Sequence, residues 1–118
     1  MTRPAARPAA RPNKFHARKT VVDGITFDSA AEARRWADLL LLERAGQISN
    51  LERQVDFPCV VNGAKVCVYR ADFVYFEGPA RVVEDVKGHR TREYLLKKKL
   101  VEAVYPGVRI TEITRGRR

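Results

Sequence analysis

Val82-Val83-Glu84-Asp85-Val86-Lys87-Gly88, read together with Ala71-Asp72-Phe73-Val74-Tyr75, decides how this chain folds. Both are short runs rich in β-branched and aromatic residues, the composition of strands. Both also carry acid, and burying charge is costly unless it is paired or holds a metal. A two-residue period puts Val83, Asp85 and Lys87 on one face of the later strand and Val82, Glu84 and Val86 on the other. Asp85 and Lys87 therefore project the same way, and an adjacent strand can bring Asp72 beside them. The competing reading is a cross-strand ion pair of Asp72 with Lys87 or Arg70 on a solvated sheet face.

Working outward, Glu77-Gly78-Pro79 is a turn, so residues 65–76 and 81–87 are adjacent strands. Asn62-Gly63 joins 65–76 to a preceding strand, 57–61, whose Pro58 suits an edge or an early position. Cys59 and Cys67 flank that turn. They face each other if the loop has three residues and lie on opposite faces of the hairpin if it has two. Before it, Thr20 to Phe27 reads as a hairpin turning at Asp23-Gly24. Ser29 then opens a helix, with Glu32 completing a capping box. The helix runs to about Ala45 and stops at Gly46, with an apolar stripe of Ala33, Trp36, Ala37, Leu40 and Leu41. A linker through Ile48 and Leu51 leads to Gln54. A second helix covers 91–105, ended by Pro106-Gly107. Its stripe is Tyr94, Leu95, Val101 and Val104, with Leu96, Leu100 and Ala103 beside it. A last strand covers 108–113. The expected fold is α/β, a mixed central sheet flanked by helices, in the core order α-β-β-β-α-β.

The charge distribution narrows the function. Of 23 Lys and Arg, six lie in residues 1–20, where there is no acid, and three in the last four residues; the other 14 face all 14 acids. The net charge of +9 thus sits in the two ends. Residues 1–14, with Arg3-Pro4-Ala5-Ala6 repeated as Arg7-Pro8-Ala9-Ala10, read as a disordered basic arm, 15–114 as one folded domain, and 115–118 as a basic tail. Such arms attract phosphate without choosing a sequence. No apolar run suits a secretory signal or a membrane span, so the expected setting is a reducing cytoplasm with free thiols. The two Cys and two His lack zinc spacing, no glycine-rich phosphate loop is present, and neither Ser29 nor Ser49 sits in a nucleophile elbow.

The remaining chemistry is metal-assisted cleavage of a phosphodiester. Asp72, Asp85 and the Val86 carbonyl are hard oxygen ligands for Mg2+ or Mn2+. Lys87 is the ammonium that positions the nucleophile and stabilises charge on the phosphate. Glu32 is a third acid, either a ligand or simply a helix cap. Glu84 is a supporting acid beside Asp85. Arg90, Arg92, Lys97, Lys98 and Lys99 surround the exit of the acidic strand as phosphate contacts, joined by Lys14, Arg18 and Lys19 near the arm. His89 reads as a loop residue.

These residues resemble the PD-(D/E)XK nuclease superfamily, through Glu32, Asp72 and Asp85-Val86-Lys87. More narrowly, the chain is similar to small phage and prophage endonucleases of that superfamily. The shared flow is Phe27-Asp28-Ser29 into Glu32-Ala33, Gln54 with Phe57, Ala71-Asp72-Phe73, Glu84 to Gly88, then Tyr94 and Lys97 to Leu100. The resemblance covers residues 14–113. It implies a restriction-endonuclease-like core, a supporting place for Gln54, and a nucleic-acid-facing place for Tyr94. It departs at Ala71, where proline is common, and at Asp85, where glutamate is commoner. Similarity to phage Holliday-junction resolvases implies branched or nicked DNA as substrate, a role in phage replication, recombination or packaging in a bacterial host, and a possible homodimer. The rival expectation is a noncatalytic DNA-binding or adaptor module with basic arms; RNA cleavage is a third.

Overall fold

The computed structural model describes residues 19–114, so the basic arm, the tail, Lys14 and Arg18 lie outside the described residues. The element order is β1 (Thr20–Val22), β2 (Ile25–Phe27), α1 (Ala30–Arg44), β3 (Ser49–Val61), β4 (Ala64–Glu77), β5 (Ala80–Lys87), α2 (Arg92–Val104) and β6 (Ile110–Thr114). Asp23-Gly24 and Asn62-Gly63 both place two successive residues at positive φ (52° and 77°; 50° and 81°). That is the turn geometry matching the twist of a tight hairpin.

The main sheet has the order β3-β4-β5-β6. β3, β4 and β5 are successive antiparallel neighbours, while β6 returns parallel to β5 after α2. The sheet is mixed and the helices flank it, as expected from the sequence. α1 covers one face, where Leu39 and partly buried Trp36 pack on Phe73, Tyr75, Val82 and Val86. Trp36 stacks on Phe73 with centroids 5.8 Å apart. α2 covers the other, where Tyr94 and Val101 pack on Phe57, Cys59, Tyr69, Ala71, Val83 and Ile110. A fully buried Leu39 alone contributes roughly 2 kcal/mol. Pro58 sits on edge strand β3, which needs no amide hydrogen there.

Several expectations need correction. The stretch after Gly46 is no linker: β3 begins at Ser49 and is 13 residues long. Its pattern is hidden because Asn50 and Gln54 have positive φ (53° and 56°) and the register slips between Ser49 and Glu52. The buried stripe of α1 is rotated from Ala37 and Leu41, both exposed, to Glu32, Ala33 and Leu39. Four consecutive leucines, Leu39 to Leu42, fit several helical phases; the polar contacts of Glu32 and Arg35 described below select one. In α2, Leu95, Leu96 and Ala103 are exposed, leaving Tyr94 and Val101 as the buried positions. The last strand starts at Ile110, with Val108 buried in the loop before it. Cys59 and Cys67 face each other across a two-residue turn, because the register slips between Cys59 and Val60. Both thiols are free.

Candidate active site

The site forms where β4 and β5 cease to pair. Their ladder runs from Glu77↔Ala80 to Phe73↔Glu84 and stops. One residue beyond, Asp72 Oδ2 accepts the backbone N–H of Val86 at 2.8 Å, replacing the missing rung. The same point changes which face of β4 looks where: Tyr69 and Ala71 lie under α2, Phe73 and Tyr75 under α1. Across the sheet, the register Arg53↔Phe73 and Val55↔Ala71 brackets Gln54 opposite Asp72. Gln54 and Asp72 thus share one irregular row, which frees Asp72 from strict alternation.

Asp85 is buried (3% exposed) on the α2 side of β5. The Tyr69 hydroxyl donates to its Oδ2, and Lys87 Nζ lies 3.5 Å from its Oδ1. Asp72 and Asp85 are in contact. Burial and the neighbouring Asp85 push the Asp72 carboxyl up to about 9, against a smaller opposing effect of the Val86 N–H. Burial and this acidic neighbour both disfavour the charged form of Asp72, and a cation held beside it would relieve that cost.

Lys87 is held from a second side. Its Nζ sits 4.1 Å from the centre of the Tyr94 ring, and Tyr94 donates its hydroxyl to Glu112 on β6 at 2.9 Å. Glu112 also pairs with Arg90 at 3.3 Å. Register places Glu112 directly opposite Asp85, so β6 supplies a backing residue. Neither ion pair weighed for Asp72 is what forms: Arg70 pairs with Asp56 at 2.6 Å, and Lys87 with Asp85.

Glu32 approaches from α1, buried to 3% exposure. Ser29 caps the helix, its hydroxyl accepting Glu32 N–H at 3.1 Å. The Glu32 carboxylate reaches past Ser29 to the N–H of Asp28, and it also accepts Gln54 Nε2, each at 3.2 Å. Burial pushes the Glu32 carboxyl up, opposed by the Asp28 N–H, and Asp85 raises it further. Glu32 is therefore within electrostatic reach of the Asp72–Asp85 pair while being tied to Gln54.

A cleft of about 390 Å³ opens on this group, lined among others by Asp28, Gln54, Asp72, Asp85, Lys87, Tyr94 and Lys97. Glu84 is not in it. It lies on the α1 face, 1% exposed, forked by Arg35 at 2.9 and 2.6 Å and bonded by the Tyr75 hydroxyl. Of the expected phosphate contacts, Lys97 lines the cleft but pairs with Glu93 at 3.5 Å, and Lys98 pairs with Glu102. Arg90, Arg92, Lys98 and Lys99 surround a separate surface hollow with Leu95 and Leu96. Lys19 pairs with Asp28 at 3.2 Å. Sequence reading did not single out Tyr69, Arg35 or Glu112; the only signal for Glu112 was its place as the lone acid of the last strand.

Among the described residues, no three His, Cys, Asp or Glu side chains gather closely enough to hold a metal unaided. A family model described as "Protein of unknown function (DUF1064)" matches residues 12–118, nearly the whole chain. The chain belongs to the DUF1064 family. No curated protein matches it. Among the described residues of this DUF1064 protein, no helix is long and apolar enough to cross a membrane. What its residues build is a polar cleft with two touching acids, a clamped lysine, and a third acid behind a glutamine.

Proposed function

We propose that this protein is a metal-dependent endonuclease with a PD-(D/E)XK core, hydrolysing DNA phosphodiester bonds. The observation that carries the reading is the convergence of Asp72, Asp85 and Lys87 on one open cleft at the end of the β4–β5 ladder. The core order α-β-β-β-α-β agrees with it.

The donor set fits a hard divalent cation. Asp72 and Asp85 are forced together and relieved by any positive charge that prefers oxygen, and the Val86 carbonyl is a further ligand. Mg2+ keeps several waters and is often held by only one or two carboxylates, so a third acid in contact is not required. When bound, such a cation neutralises phosphate charge and lowers the pKa of water. The chain's own groups do the rest. Lys87, fixed between Asp85 and the Tyr94 ring, donates to the attacking water or to a phosphate oxygen. Tyr69 and the Val86 N–H hold the two acids in place. Glu32 orients Gln54 at the cleft wall and is the candidate ligand for a second cation.

Branched or nicked DNA is the substrate we favour, on the resemblance to phage resolvases, with action as a homodimer in the bacterial cytoplasm. The test is cleavage of labelled four-way junction, nicked, single-stranded and duplex DNA. Each is incubated with Mg2+, Mn2+ or chelator, alongside Asp72→Ala. Metal-dependent cutting lost in the variant supports the reading. Binding without cutting on every substrate would replace it with a noncatalytic DNA-binding module.

A further inference from the structure

Behind the Glu32–Gln54 contact lies a second, smaller pocket of about 110 Å³, lined by Thr26, Asp28, Glu32, Arg53 and Gln54. Asp28 and Gln54 also line the main cleft, so the two adjoin. Arg53 is the anomaly. Among the described residues, its Nε is the one buried side-chain nitrogen or oxygen without a hydrogen-bond partner. Buried donors are nearly always satisfied, and an unpaired one calls for a missing acceptor. The guanidinium stacks on the Phe27 ring, 4.9 Å from its centre. That contact holds the guanidinium beside the pocket, where its unpartnered Nε–H is a donor that an oxyanion could engage.

Both acids of the pocket already have partners, and Glu32 also feels the charge of Arg53. Glu32 accepts from Asp28 N–H and Gln54 Nε2, and Asp28 is matched by Lys19. A strand of nucleic acid crossing the main cleft would carry phosphates on past the one beside Asp72 and Asp85. Asp28 and Gln54 are shared between the cleft and the pocket that Arg53 lines.

Resting on the endonuclease reading, we infer that Arg53 is a second phosphate subsite, taking a non-reacting phosphodiester group of the bound polynucleotide and fixing the strand's register in the cleft. A residue with this role binds and orients rather than reacts.

The test needs no cleavage. In 15N-labelled full-length protein, with chelator present, the Arg53 Nε–Hε resonance is assigned from its loss in Arg53→Lys. It is then followed during titration with a short DNA duplex and, separately, with inorganic phosphate. The signal should move with the duplex. By anisotropy, Arg53→Gln should weaken duplex binding about tenfold, the scale of one charge-assisted hydrogen bond, and lower the salt slope by about 1. Arg53→Lys should keep the slope. A duplex that binds while the Arg53 resonance stays still, or an Arg53→Gln variant with wild-type affinity and slope, would overturn the subsite and leave the endonuclease reading standing. A response to inorganic phosphate alone would overturn the assignment to a polynucleotide. No binding of duplex, nicked, single-stranded or four-way-junction DNA by the wild type would overturn both.

Discussion

The Asp72–Asp85 pair makes a definite demand on the pH dependence of folding. In the metal-free protein Asp72 is held at about 9, against an ordinary value of 3.8, first by burial and then by contact with Asp85. Over that interval the folded protein keeps a proton that the unfolded chain has released. The associated stabilisation is full below about pH 3.8 and is lost as pH rises toward 9. One proton of difference corresponds to about 1.4 kcal/mol per pH unit, so the loss from pH 6 to pH 8 is at most about 2.7 kcal/mol. For a domain of this size that is a sizeable part of a typical total. Asp72→Asn removes the titration but keeps an oxygen for the Val86 N–H. Urea unfolding at pH 6, 7 and 8 with chelator should show wild-type stability falling while the variant falls much less; the difference profile removes other titrating groups. At pH 8, Mg2+ or Mn2+ at about 100 times its dissociation constant should restore about 2.7 kcal/mol in the wild type and far less in the variant. Parallel wild-type and Asp72→Asn profiles would show that the Asp72 carboxyl is not raised, and the electrostatic basis for a cation site would go with it.

On the proposed endonuclease reading, Asp72→Ala and Lys87→Ala should each abolish metal-dependent cutting while DNA binding, read by anisotropy, stays within a few-fold of wild type; retained cutting in either would remove that residue from the mechanism. Arg35→Met should cost about 3–5 kcal/mol by denaturant unfolding, because it strands Glu84 at 1% exposure with only Tyr75 as partner. A loss under about 1 kcal/mol would mean that Glu84 finds water. Ser29→Ala should cost about 1 kcal/mol through the lost cap to Glu32 N–H, seen as a lower urea midpoint at unchanged slope.

Local chemistry made much of this protein legible. The Asp-Gly and Asn-Gly turns, the Ser29 cap and the Gly46 stop depend on backbone preferences of a few residues. The placement of Asp85 and Lys87 on one strand face follows from a period of two alone. Where local order broke, reading failed. The part of β3 from Ser49 to Asp56 is not legible in the sequence because Asn50 and Gln54 leave the extended region and scramble the alternation. The phase of α1 was misread because a leucine run offers no polar marker.

Tertiary structure alone decided which acid does what. Glu84 and Asp85 are neighbours in sequence, and composition treats them alike. The sheet sends one to a buried fork with Arg35, 49 residues away, and the other to Tyr69, Asp72 and Lys87. Likewise Glu112 becomes a support for Tyr94 only because β6 returns parallel beside β5. Arg53 stands out only when its buried, unpartnered Nε and its place over the Phe27 ring are seen together. A charged side chain's state is set by partners distant along the chain and by exclusion of water, and neither quantity is written in the residues that flank it.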